Sequence, residues 1–503
     1  MKRVLIIGID SLDRYMLKKF EDDLPNFSSL RGIGQDIEVE SVFPPDSPTC
    51  WASIYTGLNP AKHSILGFLE PLKRIAYTIN KDTDNSSLRG KTFWDIAGSL
   101  GKQVCVILPC IGYPVWPVNG IMVGRSSVED SVQVFPKALA ENRELSQILG
   151  IRSYPIGRMV KKFIADSREL TLNEAEFGLK LFRSQKWDLF FISLASLDAI
   201  QGFFWKFCDE EDPTYPGDNQ YKNVIKDFYR LLDEILGKFL EATDRCTVTI
   251  VVSDHGMGMR PTKLLNVNEL LREKGLLVPR FKGLKRGGSL LVKAMEKVKR
   301  LTSQIITNNQ FLAGIGGQLL QIFPPSRKIY TTPFSIDWRK TVAYFTDFSG
   351  IKAYSYGGVC IQREYLGNKD YEDVRNLIIE ELSTMIDPDT GDKITRWVRK
   401  REELYSGEYI SLYPDIVLYL KDDYGGGWAI YESIVSTSPT HKIVSGGHRA
   451  YRTTFLMSDV SDKKIAKRKI SLVDIAPTVL DILDIGKDFR FDGRSIFIEN
   501  YVK

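Results

Sequence analysis

Histidine is scarce in this chain. Only His63, His255, His441 and His448 occur in 503 residues, so each can be weighed singly. Cysteine is sparse as well: six are scattered without a CxxC pair, which suits reduced thiols and a cytoplasmic location rather than a disulfide framework. A surplus of one charge is missing, because 68 Lys and Arg against 63 Asp and Glu leave only +5. That is too little over this length to argue for nucleic acid as a partner. No apolar run approaches the roughly 18–20 residues of a membrane span. No secretory signal is expected either, since Met1-Lys2-Arg3 leads straight into a short apolar strand and then polar residues. Internal repeats and low-complexity tracts are also lacking. What remains is an ordinary globular composition, 43% hydrophobic and 26% charged, long enough to bury a large core.

The most telling stretch is Cys246–Gly258, Cys-Thr-Val-Thr-Ile-Val-Val-Ser-Asp-His-Gly-Met-Gly. Residues Thr247–Val252 are β-formers with little alternation, as expected of a parallel strand covered on both faces. The strand ends in Asp254 and His255, and Gly256 and Gly258 predict a sharp turn. Two other apolar runs end in carboxylates, Val4–Asp10 and Asp188–Asp198. Further strands are expected at 103–108, 341–347, 359–363, 414–420 and 454–457. Helices are expected at 49–56, 93–100, over most of 136–187, and at 221–242, 266–274, 370–385 and 472–483. Strands alternating with helices on this scale predict an α/β fold with a doubly wound, mostly parallel sheet. The rhythm breaks after Gly258. We therefore expect a core of 1–259 and 411–503, with 260–410 inserted as a cap or side lobe. Within it, 280–300 carries eight Lys or Arg against one Glu, and 280–301 reads as a solvated amphipathic helix or, alternatively, as a contact with a membrane surface.

In open α/β sheets, ligands sit beyond the carboxyl ends of the strands. Asp10, Asp198, Asp254 and His255 fall there, and His448 lies in a Gly-rich stretch expected to be a loop. Carboxylates and imidazoles gathered at one edge repel or titrate unless cations hold them, and they suit Zn²⁺ or Mn²⁺. Two ions about 4 Å apart can clamp the attacking and leaving oxygens of a phosphoryl transfer. Ser47 or Thr49, in a proline-rich loop ahead of a helix, would serve as nucleophile, with the helix N-terminus favouring a phosphate. Asp13, Asp46 and Asp492 read as turn or cap residues, His63 as structural, and His441 as a surface residue.

Taken together, Gly8-Ile-Asp10, the run Ser47–Ser64, Ser196-Leu-Asp198, Ser253-Asp-His-Gly256, Gly447-His-Arg449, Asp474-Ile-Ala-Pro-Thr478 and Asp492-Gly-Arg494 resemble the alkaline phosphatase superfamily. The branch is that of the type I phosphodiesterases and nucleotide pyrophosphatases, and the resemblance spans nearly the whole chain, with Ile336–Tyr344 adding a stretch common in prokaryotic members. It implies an alkaline-phosphatase-like fold and two divalent metal ions. Asp10, Asp254, His255 and the nucleophile would hold one ion, and Asp198 and His448 the other. In that family the nucleophile stands nine residues before the Thr of a Thr-Gly pair, here Thr56-Gly57, which points to Ser47 with Thr49 as runner-up. The implied activity is hydrolysis of a phosphodiester or pyrophosphate bond in a phosphorylated small molecule, of nucleotide or nucleotide-sugar type, through a phosphoenzyme. A phosphomonoesterase and a phosphoglycerate mutase are rivals within the superfamily. A sulfatase fits less well, because Trp51 and Ala52 follow Cys50 where that class has Pro and Arg.

One position departs from the pattern. The family has a second histidine four residues after the Asp of Ser-Leu-Asp, and here that position is Gly202. The second metal site would then be weakened, completed by water or by recruited Gln201 or His441. A weakly active or non-catalytic relative that only binds a phospholigand is the alternative.

Overall fold

The structure is a computed structural model and describes residues 2–67, 82–150, 155, 159–280, 336–348, 353–458, 460, 463–465, 469–486 and 489–498. Its centre is an eight-stranded sheet in the order Gln35–Asp36, Phe455–Met457, Thr247–Val252, Arg3–Ile9, Leu189–Leu194, Val104–Ile107, Gly120–Arg125, Val132–Phe135. The five strands from Thr247–Val252 to Gly120–Arg125 run parallel, while Phe455–Met457 and Val132–Phe135 add to them antiparallel.

Successive side chains of a strand point to opposite faces, so a strand apolar at every position needs cover on both. Leu5, Ile7 and Ile9 pack with Phe204, Phe228 and Leu232 on one side. Val4 and Ile6 pack with Trp51, Tyr55 and Val479 on the other. The first cover comes from the helices Val160–Ser184, Ser196–Cys208 and Val224–Glu241, the second from Ser47–Thr56, Phe93–Ser99 and Ile475–Ile482. This is the doubly wound, mostly parallel arrangement that the continuous apolar runs predict.

Beside it stands an antiparallel sheet in the order Ala343–Thr346, Tyr356–Ile361, Ile416–Leu420, Thr395–Lys400. Phe345, Val359 and Leu418 of this sheet share a separate core with Ile378 and Leu382 of the helix Tyr371–Ser383. The small ladder Gly256–Met259 with Gly446–Arg449 joins lobe and core. Among the described residues no helix is long and apolar enough to cross a membrane. Apart from Arg280, the basic stretch 280–301 lies outside the described residues.

Several local expectations are corrected. The chain does not turn after His255, and 446–449 is not a loop, because the two segments pair as strands. Their glycines permit close approach rather than bending: a Cβ on Gly256 would lie 2.4 Å from Arg452 Cβ. The strand expected to run into Asp198 stops at Leu194, and Asp198 sits in the first turn of Ser196–Cys208. The helix expected at 49–56 begins at Ser47. Among the described residues of 136–187 the α-helix is Val160–Ser184, with 3₁₀ turns at Lys137–Leu139 and Arg143–Ile148 ahead of it. Gly120–Arg125, which the sequence reading passed over, is a strand.

Candidate metal centre and active site

The parallel strands deliver their carboxyl ends to one edge, and the acidic residues follow from that. Asp10 comes directly after Arg3–Ile9, and Asp254 and His255 follow Thr247–Val252 by two and three residues. The neighbouring strand Leu189–Leu194 hands over to the helix that carries Asp198. Ser47 is the first residue of Ser47–Thr56, held there by Pro48 in the first turn and by a left-handed Gly57 (φ 65°) at the far end. His448 arrives from the ladder and stacks on His255, ring centroids 3.7 Å apart.

Two groups of potential ligands result, Asp10–Asp254–His255 and Asp198–His255–His448, each with its ligand atoms within 4.8 Å of one another. In the first, His255 Nε2 lies 3.3 Å from Asp254 Oδ2 and 3.8 Å from Asp10 Oδ1. Ser47 Oγ is 3.1 Å from the same nitrogen and donates to Asp10 Oδ1 at 3.4 Å. In the second, His448 Nε2 is 3.4 Å from Asp198 Oδ1. Four-coordinate ions with bonds of about 2.0–2.1 Å keep their ligand atoms roughly 3.3 Å apart, so both donor sets have suitable spacing.

The remaining ring nitrogens are anchored to carbonyls. His255 Nδ1 faces Gly256 O at 3.2 Å, and His448 Nδ1 faces Pro45 O at 2.9 Å. Each Nδ1 therefore carries the proton and each Nε2 turns a lone pair inward, the arrangement of a metal-binding histidine. Ser11 ties the halves together: its Oγ donates to Asp198 Oδ1 at 2.6 Å and meets His255 Nδ1 at 3.2 Å, while its amide donates to Asp254 Oδ1 at 3.2 Å. It is fully buried in the left-handed region at φ 61°, a strained conformation of the kind that collects at functional sites.

Electrostatics argue for a cation. Burial raises the Asp10 carboxyl well above its usual range, and the charges of Asp254 and Asp198 add to this. Burial raises Asp254 too. At Asp198 burial pushes upward and the Ser11 hydroxyl opposes it; the larger lowering, from His448 and His255, requires protonated rings, and a cation on their Nε2 atoms would take that part over. Buried carboxylates that resist ionisation are relieved by a divalent ion, which inverts the local pKa logic. The oxygen and imidazole donor set fits zinc or manganese.

Other candidates fall elsewhere. Thr49 Oγ1 is buried without a hydrogen-bond partner, whereas Ser47 Oγ reaches Asp10 and His255. His63 is enclosed behind the site, bonded to Ser53 Oγ at 2.9 Å. His441 is not on the surface: it is buried between Asp212 Oδ1 at 3.0 Å and Arg260 O at 2.8 Å, which holds it from any recruitment. Gln201 is likewise committed, donating to Ser11 O at 2.7 Å and accepting from Tyr229 at 3.2 Å. Asp13 caps the helix Arg14–Lys19, and Asp492 accepts from the Asn59 amide. Sequence reasoning missed Ser11, although it directly follows Asp10. It also missed Tyr354, whose hydroxyl lies 3.0 Å from His448 Nε2 and which no local signal marks.

A family profile described as type I phosphodiesterase / nucleotide pyrophosphatase matches residues 4–440. The chain belongs to this family of phosphoester hydrolases. Solved structures of similar fold include phosphonoacetate hydrolase from Sinorhizobium meliloti 1021 in complex with phosphonoformate, at 13% identity over 96% of each chain with a TM-score of 0.52. The same enzyme in complex with phosphonoacetate gives 13% identity over 96% of each chain and a TM-score of 0.50. At that identity the likeness speaks for the fold alone. No curated protein matches.

Proposed function

We propose that this protein hydrolyses phosphodiester or pyrophosphate bonds in small phosphorylated molecules of nucleotide or nucleotide-sugar type, with Ser47 as nucleophile. The observation that carries the reading is the place of Ser47 Oγ: at a helix N-terminus, within 3.4 Å of Asp10 Oδ1 and 3.1 Å of His255 Nε2. Asp10, Asp254, His255 and Ser47 would hold one divalent ion, and Asp198 and His448 a second, zinc or manganese in each. Bound there, the ions supply Lewis-acid polarisation of the phosphoryl oxygens and neutralise charge at the attacking and leaving oxygens. The positive end of the Ser47 helix, with the Ser47 and Thr49 amides of its first turn, would favour a non-bridging phosphoryl oxygen. Ser47 Oγ attacks phosphorus as the bond to the leaving oxygen breaks, and its hydrogen bond to Asp10 Oδ1 gives the hydroxyl proton an acceptor. Water then cleaves the phosphoserine. We expect substrate choice to reside in the inserted lobe, 260–410 extended by Ile416–Leu420 of its antiparallel sheet.

The test is a panel of bis-nitrophenyl phosphate, nitrophenyl phosphate, a dinucleotide and phosphonoacetate with Mn²⁺, Zn²⁺ or Mg²⁺ added. Diesters are expected to turn over fastest. Preference for nitrophenyl phosphate would move the protein to the phosphomonoesterase reading. A second reading rests on Gly202, which offers no side chain to the second ion: a weakly active or purely phospholigand-binding relative would hold one ion or none.

A further inference from the structure

Position 202 is empty of side chain, yet its surroundings are not packed shut. A Cβ there would meet only Val444 Cγ1, at 3.7 Å. The side chain that does reach the second donor set comes from the lobe. Tyr354 is 3% exposed and follows Ala353, whose φ of 53° bends the chain. Its ring lies 4.4 Å from the His448 ring, stacks on Tyr356 at 5.2 Å, and carries the Arg260 guanidinium 4.6 Å over its face. These contacts fix the ring on three sides and leave the hydroxyl pointing at His448 Nε2.

That nitrogen has Tyr354 Oη at 3.0 Å and Asp198 Oδ1 at 3.4 Å. Both separations are near the roughly 3.3 Å between ligand atoms that share one four-coordinate ion. Because His448 Nδ1 is committed to Pro45 O, Nε2 is an acceptor and the tyrosine is its donor when no ion lies between them. An ion held among the three atoms would take the lone pair that this hydrogen bond uses, and the displaced phenol proton would pass to solvent. An oxygen donor beside a carboxylate and an imidazole is chemically suited to such an ion.

We propose that Tyr354 Oη is the third protein ligand of the second metal site, in the place left by Gly202. This inference rests on the two-ion reading above. The variant Tyr354→Phe keeps the ring, its stack and the guanidinium contact, and removes one oxygen. Zinc titration of chelator-stripped protein by calorimetry, with metal content by elemental analysis, should give two ions per chain in the native protein. In Tyr354→Phe the tighter ion should bind unchanged and the other at least tenfold more weakly. Adding Gly202→His to that variant should restore the second ion. Equal affinity for the second ion in native and Tyr354→Phe proteins overturns the assignment and leaves the two-ion reading intact. Weakening of both ions alike, with a lowered melting temperature, overturns it in favour of lost packing. A native protein that takes only one ion removes the two-ion reading itself.

Discussion

At the scale of single residues, the candidate site depends on which hydroxyl sits where the chain ends of three strands converge. Ser47→Ala should lower turnover by roughly three orders of magnitude or more while leaving the melting temperature near native. Thr49→Ala should leave turnover near native, since Thr49 Oγ1 hydrogen-bonds to none of the acidic or histidine side chains. Steady-state rates on the preferred ester separate the two. Asp254→Asn preserves shape and removes charge, so elemental analysis should find a lost ion together with lost activity. An undiminished metal count would make Asp254 a structural residue. Asp10, Asp254 and His255 could be read from where an apolar run stops, whereas Asp198 and His448 were suggested by the resemblance of Ser196-Leu-Asp198 and Gly447-His-Arg449. Ser11 and Tyr354 were legible in neither way. The role of Ser11 depends on a left-handed backbone that a serine does not advertise, and Tyr354 lies two residues ahead of Tyr356–Ile361 in a separate sheet whose placement no local pattern encodes.

At the scale of elements, the strand Gly446–Arg449 lies against the helix Ser196–Cys208. A Cβ on Gly446 would stand 2.5 Å from Gln201 O and 2.8 Å from Gly202 Cα, both backbone atoms that cannot swing aside. Gly446→Ala should therefore push strand and helix apart, lowering stability by about 1–3 kcal/mol. Because the strand carries His448 and the helix carries Asp198, the same variant should bind the second ion less tightly. Denaturant melts and zinc titration measure the two effects, and a native-like result in both would mean the contact is slack. This ladder was misread from the sequence as a turn and a loop. Glycine has low strand propensity, and nothing local tells a glycine that bends from one that admits a neighbouring backbone. The parallel strands were easier, since β-branched runs buried on both faces leave little else for the chain to be.

At the scale of the whole molecule, acid should destabilise the fold through His63. Burial, with the nearby charge of Lys91, pushes its imidazole down to about 3. Its Nδ1 accepts from the Ile65 amide at 3.2 Å and its Nε2 donates to Ser53 Oγ at 2.9 Å, so the neutral ring is the one that fits. The unfolded chain binds a proton below its ordinary value of 6.5 and the folded chain does not. Stability from this group is thus complete above pH 6.5 and lost progressively as pH falls toward 3, at about 1.4 kcal/mol per pH unit. Comparing His63→Gln with the native protein isolates it from other titrating groups. The stability difference between them should shrink or reverse from pH 7 to pH 5, and a constant difference would show that His63 does not titrate in this way.

The ladder of Gly256–Met259 with Gly446–Arg449 has a topological meaning as well. In chain terms its strands are the arms of a single hairpin, and everything from 260 to 445 is the turn. Loop closure is logarithmic in length, about 0.6 kcal/mol for each doubling, so a hairpin tip can swell into a lobe with little thermodynamic penalty. The arms hold His255 and His448 face to face whatever the tip contains. Exchange of the tip between relatives would leave that imidazole pair, the helix of Ser47 and the acidic strand ends untouched. It would replace Tyr354 together with the antiparallel sheet behind it. Choice of substrate and completion of the second ion's ligand set would then be inherited as one exchangeable cassette, apart from the nucleophile.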